Sequence, residues 1–281
     1  MSNSVKIVED EKGAGSAVTR VRQLFQDVEI RKKVITLIEG PDDEHCFKHL
    51  LAASKVYLHS TNIRFHEKIV DDLFAKYPTK LISIKDADFC RANNNMPSLA
   101  NMFHTDAHDL ETMMLSSGKL IDLAVDYPGL VDAIDVQALC CVLLDYSYMR
   151  WYNYNYHRNL AFQKLNTVNL YENGKLVNPN GLFAKVCACS SVHSATFAEY
   201  EHFKQSHPVD DSLLLCITNG HDLMDCIYSE MHKAKQGNLP KSKVQKSFYK
   251  NYTMSMFQQT LLYDQLSDWA RRNGQSLFVA V

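Results

Sequence analysis

The 281-residue chain is 46% hydrophobic and 22% charged, the proportions of an ordinary globular protein with room for one large domain or two modest ones. Its formal net charge of −2 excludes a histone-like mode of binding by overall positive charge, but not a nucleic-acid enzyme whose charge is unevenly placed. With 10 Gly and 7 Pro, widespread disorder is not expected; no apolar run approaches the ~18–20 residues of a membrane span, and the N-terminus has no secretory h-region, so a soluble cytoplasmic protein is expected.

Residues 1–16 are polar and predict a frayed arm. Val18, Val21, Leu24, Phe25 and Val28 then recur at helical spacing as far as Ile30. Val34 to Ile38 is a short β-branched apolar run of the kind that makes a buried parallel strand. Glu39-Gly40-Pro41 ends it, and a helix is expected from Asp42 or Asp43 with Cys46, Phe47, Leu50 and Leu51 on its apolar face. Glu67 to Lys76 reads as a further helix, closed by Pro78, and Leu81 to Ile84 forms the next strand, running into Lys85-Asp86-Ala87-Asp88.

Arg91 to Ser98 is a polar loop, and another helix begins near His108 with Asp109 and Glu111 in its first turn. From Gly118 to Leu165 the signals are mainly helical. Ser212 to Thr218 reads as another strand, followed by Asn219-Gly220-His221-Asp222 and a helix to about Lys233; a last helix runs from about Thr253 to Arg272. Strands and helices in this order, with carboxylates at strand C-termini, predict an α/β core: a parallel sheet flanked by helices, with helical additions.

The eight cysteines contain no C-x-x-C pair and read as buried free thiols in a reducing cytosol, rather than as zinc ligands with Cys187, Cys189 and His193. His45 and His49 read as helix-surface residues. The aromatic run from Tyr146 to Tyr156 suits base stacking, but more often such rings are core or interface anchors. The lysines between Lys233 and Lys250 are open to phosphate binding or, more commonly, to a solvated loop.

Three carboxylates stand out by position. Glu39 ends one strand, and Asp86 and Asp88 end another, where ligands bind in open α/β sheets. Asp86 and Asp88 are two apart, so a regular extended chain would point both to one face. Two such charges 4 Å apart repel by roughly 4 kcal/mol at an effective dielectric of about 20, so convergence calls for a cation. Oxygen-only donors suit Mg²⁺ or Mn²⁺ rather than zinc, and Asp43 is placed to add another oxygen. Acidic residues also cap helices, a reading open to Asp42, Asp43, Asp109 and Asp222 but weaker for Glu39, which sits between an apolar strand and Gly-Pro.

The segments VITLIEG and ISIKDADF resemble the Toprim signature, a Glu after the first strand and Asp-x-Asp after a later one. HTDAHDLETMML and ITNGHDLMD narrow the resemblance to the Toprim-like phage-defence nucleases found beside ABC-type ATPases, such as the nuclease subunits of PARIS anti-phage systems. The likeness spans about residues 34–230. It implies a Toprim-like core at 31–118 after an N-terminal arm and helix at 1–30. A helical insertion or subdomain at 119–211 follows, then a final core strand and C-terminal helices at 212–281.

The resemblance also implies a Mg²⁺-dependent (or Mn²⁺-dependent) endonuclease. Glu39 takes the role of general base or metal-proximal carboxylate, Asp86 and Asp88 are metal ligands, and Asp43 and Glu111 add to the metal positions. Two ions about 3.5–4 Å apart would clamp the phosphodiester. Lys85, Arg158 and Lys164 are candidates for a positive group near the scissile phosphate, Lys85 by proximity to Asp86. His221 and Asp222 match a family motif without an assigned role. The implied partners are an ABC-type ATPase that restrains the enzyme until infection, a structured RNA substrate such as tRNA with DNA next, and a second copy in an active homodimer. A DNA-nicking old-type nuclease and a non-catalytic Toprim-like regulatory subunit are the alternatives.

Overall fold

The computed structural model describes residues 2–162, 165, 171–172, 175–176, 179–191, 193–235 and 239–279. Along the chain run α1 (Ser2–Leu24), β1 (Val34–Ile38), α2 (Pro41–Leu50), β2 (Val56–Ser60), α3 (His66–Phe74), β3 (Leu81–Lys85), β4 (Met102–His104), α4 (Leu110–Ser117), α5 (Leu120–Leu123) and α6 (Val136–Tyr156). Then come β5 (Tyr171–Glu172), β6 (Lys175–Leu176), α7 (Pro179–Cys189), α8 (Phe197–Ser206), α9 (Leu214–Ile217), α10 (Gly220–Ala234), α11 (Lys241–Asn251), α12 (Met254–Phe257) and α13 (Leu261–Arg272). The chain divides into two units: Met1–Asp86, Pro97–Asp106 and Tyr252–Val281 form the first, Ala87–Met96 and Ala107–Asn251 the second.

The first unit is α/β. Its four strands are all parallel, in the order β2-β1-β3-β4. All five residues of β1 are buried, as a near-continuous β-branched run in a parallel sheet requires. Val18 and Val21 of α1 and Ile69, Val70 and Leu73 of α3 pack with Ile35, Leu37 and Leu81 of the sheet. From β1 the chain goes to β2 on one side and then crosses to β3 on the other. The carboxyl ends of β1 and β3 are therefore a topological switch point, the usual ligand position in open α/β sheets. This architecture is consistent with the expected Toprim-like core with helical additions.

Two strands of the four-stranded sheet were not legible in the sequence. β2 (VYLHS) is an edge strand with mostly half-buried side chains, and β4 has only three residues, too few to show a period. Three expectations are corrected. Ser212 to Thr218 contains the short helix α9 and no strand; its Leu-rich run lacks the β-branching that marks buried strands. α1 starts at Ser2 rather than after a frayed arm, in keeping with helix formers such as Lys6, Glu9, Glu11 and Lys12. The last helix is two, because Thr253 and Thr260 each cap a new N-terminus through the N–H groups of Met256 and Tyr263.

The unit boundaries also differ from those read in the sequence. Ala107–Gly118, with Asp109 and Glu111, goes with the helical unit, and Tyr252–Val281 goes with the sheet. The Asp106 carboxylate accepts the N–H groups of Leu261 and Leu262 at 2.6 and 2.9 Å, and Trp269 Nε1 donates to Asn101 Oδ1 at 2.7 Å. These long-range bonds hold α13 beside β4.

Inside β1, the Thr36 hydroxyl is fully buried and has no hydrogen-bond partner among the described residues. Thr36→Val keeps the shape and β-branching while removing that desolvated group. It is expected to stabilise the protein by about 1 kcal/mol, read as a higher urea midpoint at unchanged slope.

In the second unit, α6 is the central helix. Tyr146, Tyr148, Trp151 and Tyr152 are buried and pack with Phe183, Tyr200 and Phe203, so most of the aromatic run is core, with Tyr156 50% exposed. The segment from Lys233 to Lys250, open in the sequence to phosphate binding or to a solvated loop, includes the end of α10 and most of α11, with Lys241 paired to Asp225. All eight cysteines are free thiols, but only Cys46, Cys140 and Cys226 are buried, which corrects the expectation that all would be. Among the described residues no helix is long and apolar enough to cross a membrane.

Candidate functional site

In the first unit, Glu39 directly follows β1 and Asp86 directly follows β3, which are neighbours in the sheet. The Asp86 N–H donates to Glu39 Oε1 at 3.3 Å. Two of the predicted carboxylate residues therefore meet at the switch point. Gly40 is the N-cap of α2, Pro41 pre-sets its first turn, and the Gly40 N–H donates to Asp43 Oδ2 at 2.9 Å. Asp43 thus serves the capping role open to it in the sequence.

Lys85 extends from the last position of β3, and its Nζ donates to Glu67 Oε1 at 3.1 Å. Ser83, on the same strand face, meets His66 Nδ1 at 2.8 Å, and His66 Nε2 lies 3.2 Å from the Thr61 carbonyl. Lys85 is therefore turned toward α3. Burial lowers the His66 imidazolium from its ordinary value to about 4, with nearby Lys85 acting in the same direction.

Asp88 does not continue the extended strand. Its φ of 47° is left-handed, and its N–H donates to the His108 carbonyl at 2.8 Å within the second unit. Because of this turn, the regular alternation that would point Asp86 and Asp88 to one face does not hold. Among the described residues no group of three or more His, Cys, Asp or Glu side chains is placed to hold a metal ion. The chemistry of the Glu39 and Asp86 donor set nevertheless fits Mg²⁺ or Mn²⁺. Both residues offer hard carboxylate oxygens, and such ions are commonly held by one or two carboxylates plus water and substrate phosphate oxygens.

The second unit explains both remaining motifs, HDLET and NGHD. Asp109 caps α4 through the Thr112 N–H at 3.0 Å, and it also accepts the Gly220 N–H at 2.6 Å. That approach needs a glycine, since a Cβ at Gly220 would lie 2.6 Å from Glu111 Cβ and 2.8 Å from Asp109 Cγ. Asn219 caps α10 through the Asp222 N–H at 3.3 Å. Asp222, a candidate cap in the sequence, instead forms a two-pronged ion pair with Arg150: Nε–Oδ2 is 2.6 Å and Nη2–Oδ1 is 3.1 Å.

Glu111 is buried at 6% exposure. Tyr249 Oη donates to its Oε1 at 2.5 Å, and His221 Nδ1 stands 3.4 Å from the same oxygen. Burial and then the Asp109 charge raise the Glu111 carboxyl to about 7, while His221 and Tyr249 pull the other way. His221 itself is exposed. Of the remaining phosphate candidates, Arg158 pairs with Glu199 at 3.0 Å and lies over the Tyr152 and Tyr156 rings, and Lys164 lies outside the described residues.

Sequence reasoning missed Arg150 and Tyr249. Arg150 was hidden in an aromatic run, and Tyr249 lies 138 residues from its partner, so no local pattern signals either. In comparisons with known proteins, no family model and no curated protein matches the chain.

Proposed function

We propose that the chain is a metal-dependent, Toprim-like endonuclease that hydrolyses phosphodiester bonds. The observation that carries this reading is the meeting of Glu39 and Asp86 at the carboxyl ends of two adjacent parallel strands, with the Asp86 amide on Glu39 Oε1. A divalent ion bound there would lower the pKa of a water and neutralise charge on the phosphate. Glu39 is assigned to orient that water and accept its proton, held in position by the Asp86 N–H. Asp86 is assigned as a carboxylate ligand. Asp88 and Glu111 enter only through their motifs, Asp-x-Asp and HDLET.

The resemblance extends the proposal. The enzyme would be the toxic effector of an anti-phage system, restrained by an ABC-type ATPase and active as a homodimer. Structured RNA, tRNA first, would be its substrate.

The test is expression of wild type and Glu39→Ala, each alone and with the neighbouring ATPase under phage challenge. Total RNA and plasmid DNA are read on gels, and purified protein is assayed with Mg²⁺, Mn²⁺ or EDTA. Wild type is expected to arrest growth and cut nucleic acid in a metal-dependent way. Glu39→Ala should cut at least 100-fold more slowly, as expected for loss of a general base, with an unchanged melting temperature. Equal behaviour of the two proteins, or no cleavage with either metal, overturns the proposal.

A further inference from the structure

The first unit holds a polar cavity of about 360 Å³ that the reaction proposed above does not use. Gly13 and Arg20 of α1 are on one wall, and His59, Ser60, Asn62 and Phe65 are on the other. It opens at the carboxyl end of β2, beside the end of β1 that carries Glu39. The Thr61 N–H donates to the Ile38 carbonyl at 3.0 Å, and Ser60 Oγ donates to the Gly40 carbonyl at 3.4 Å. The cavity and Glu39 thus border the same strand end, that of β1.

Its chemistry is one-sided. Arg20 is exposed and always cationic, His59 is partly buried, and no carboxylate is among the described lining residues. Asn62 Oδ1 accepts the Arg64 N–H at 3.2 Å, which presents the Asn62 NH₂ group as a donor. Gly13 lets α1 come this close, since a Cβ there would stand 3.0 Å from Phe65 Cζ.

We infer that this cavity grips a backbone phosphate of the nucleic-acid substrate, through Arg20 and His59 with hydroxyl and amide donors around them. The inference rests on the nuclease reading and gives α1 a function, the supply of Arg20. A guanidinium, an imidazole and neutral donors form a phosphate site, and a strand held there would pass the ends of β1 and β2 next to Glu39. Burial, and then the Arg20 charge, lower the His59 imidazolium from its ordinary value, so a phosphate between the two would relieve their repulsion.

The experiment uses the full chain carrying Glu39→Gln, to prevent cutting, and fluorescein-labelled tRNA and a DNA hairpin as probes. Arg20→Gln and Arg20→Lys are each added. Arg20→Gln is expected to weaken binding about tenfold and to flatten the dependence of log K on log salt by about one, while Arg20→Lys keeps the slope. Melting temperatures should not change, because Arg20 is exposed.

Binding within twofold and an unchanged slope for Arg20→Gln overturn the inference. Loss of inorganic phosphate or AMP binding without loss of nucleic-acid binding also overturns it, in favour of a small phosphate ligand. If Arg20 has no effect while wild type still cuts in a Glu39-dependent way, the cavity assignment alone fails. If wild type neither binds nor cuts nucleic acid, the nuclease reading fails and takes the inference with it.

Discussion

Arg150→Met is expected to destabilise the second unit by about 3 kcal/mol, the low end of the range for breaking a buried ion pair, since Arg150 is only partly buried. The substitution leaves the Asp222 carboxylate, 8% exposed, without its two-pronged partner. It also removes the guanidinium from over the Phe162 and Tyr146 rings, at 4.7 and 5.1 Å from their centroids. Each unit contains one of the two tryptophans, so urea unfolding followed by Trp151 fluorescence in a Trp269→Phe background reads the second unit. Arg150→Met with Asp222→Leu should recover most of the loss, because a hydrophobic replacement of both partners leaves no buried charge. A loss below 1 kcal/mol for Arg150→Met would show that the NGHD motif is held by something other than this pair.

Between about pH 4 and pH 7 the two units should respond to pH in opposite directions. The folded-state pKa of Glu111, about 7, lies above its ordinary 4.5, so in that interval the native unit holds a proton that the unfolded chain has released. Stability from this group is full below about pH 4.5 and falls by about 3 kcal/mol as the pH rises through 7. His66 acts in the opposite sense. Its folded value of about 4 lies below its ordinary 6.5, so the first unit loses about 3 kcal/mol as the pH falls from 6.5 through 4.

Glu111→Gln copies the neutral carboxyl and keeps an oxygen for the Tyr249 hydroxyl. At pH 8, with a chelator present, it should stabilise the second unit by about 3 kcal/mol, and at pH 4 it should change little. The measurement is the urea midpoint by Trp151 fluorescence at both pH values. Equal midpoints for wild type and Glu111→Gln at pH 8 would rule out a buried, ionised Glu111 as the cause of any alkaline loss.

The parts of the fold that could be read in advance are those in which local pattern and tertiary environment agree. β1 is β-branched or apolar throughout, and β3 is mostly so, because both faces of a parallel sheet are covered; α2 and α3 show a helical period because each buries one face. Glu39 and Asp86 were visible because a carboxylate directly after an apolar strand is out of place in a core. Asp43 and Asp109 were correctly open to a capping role. The failures lie where local pattern is weak: the half-buried edge strand β2, the three-residue β4, and the Leu-rich run at α9.

By itself, then, the sequence determined the α/β class, the main strands and helices, and the chain positions of the acidic residues and motifs. These depend on side-chain type and spacing over one or two turns. Only the tertiary structure decided that Glu39 meets the Asp86 amide, that the backbone leaves the extended form at Asp88, and that HDLET and NGHD meet, with Arg150 on Asp222 and Tyr249 on Glu111. Gly220 and Asp109 are 111 residues apart, as are many pairs a chain of this length could bring together. Which of them meet depends on how whole elements bury their apolar faces, a property of no single segment.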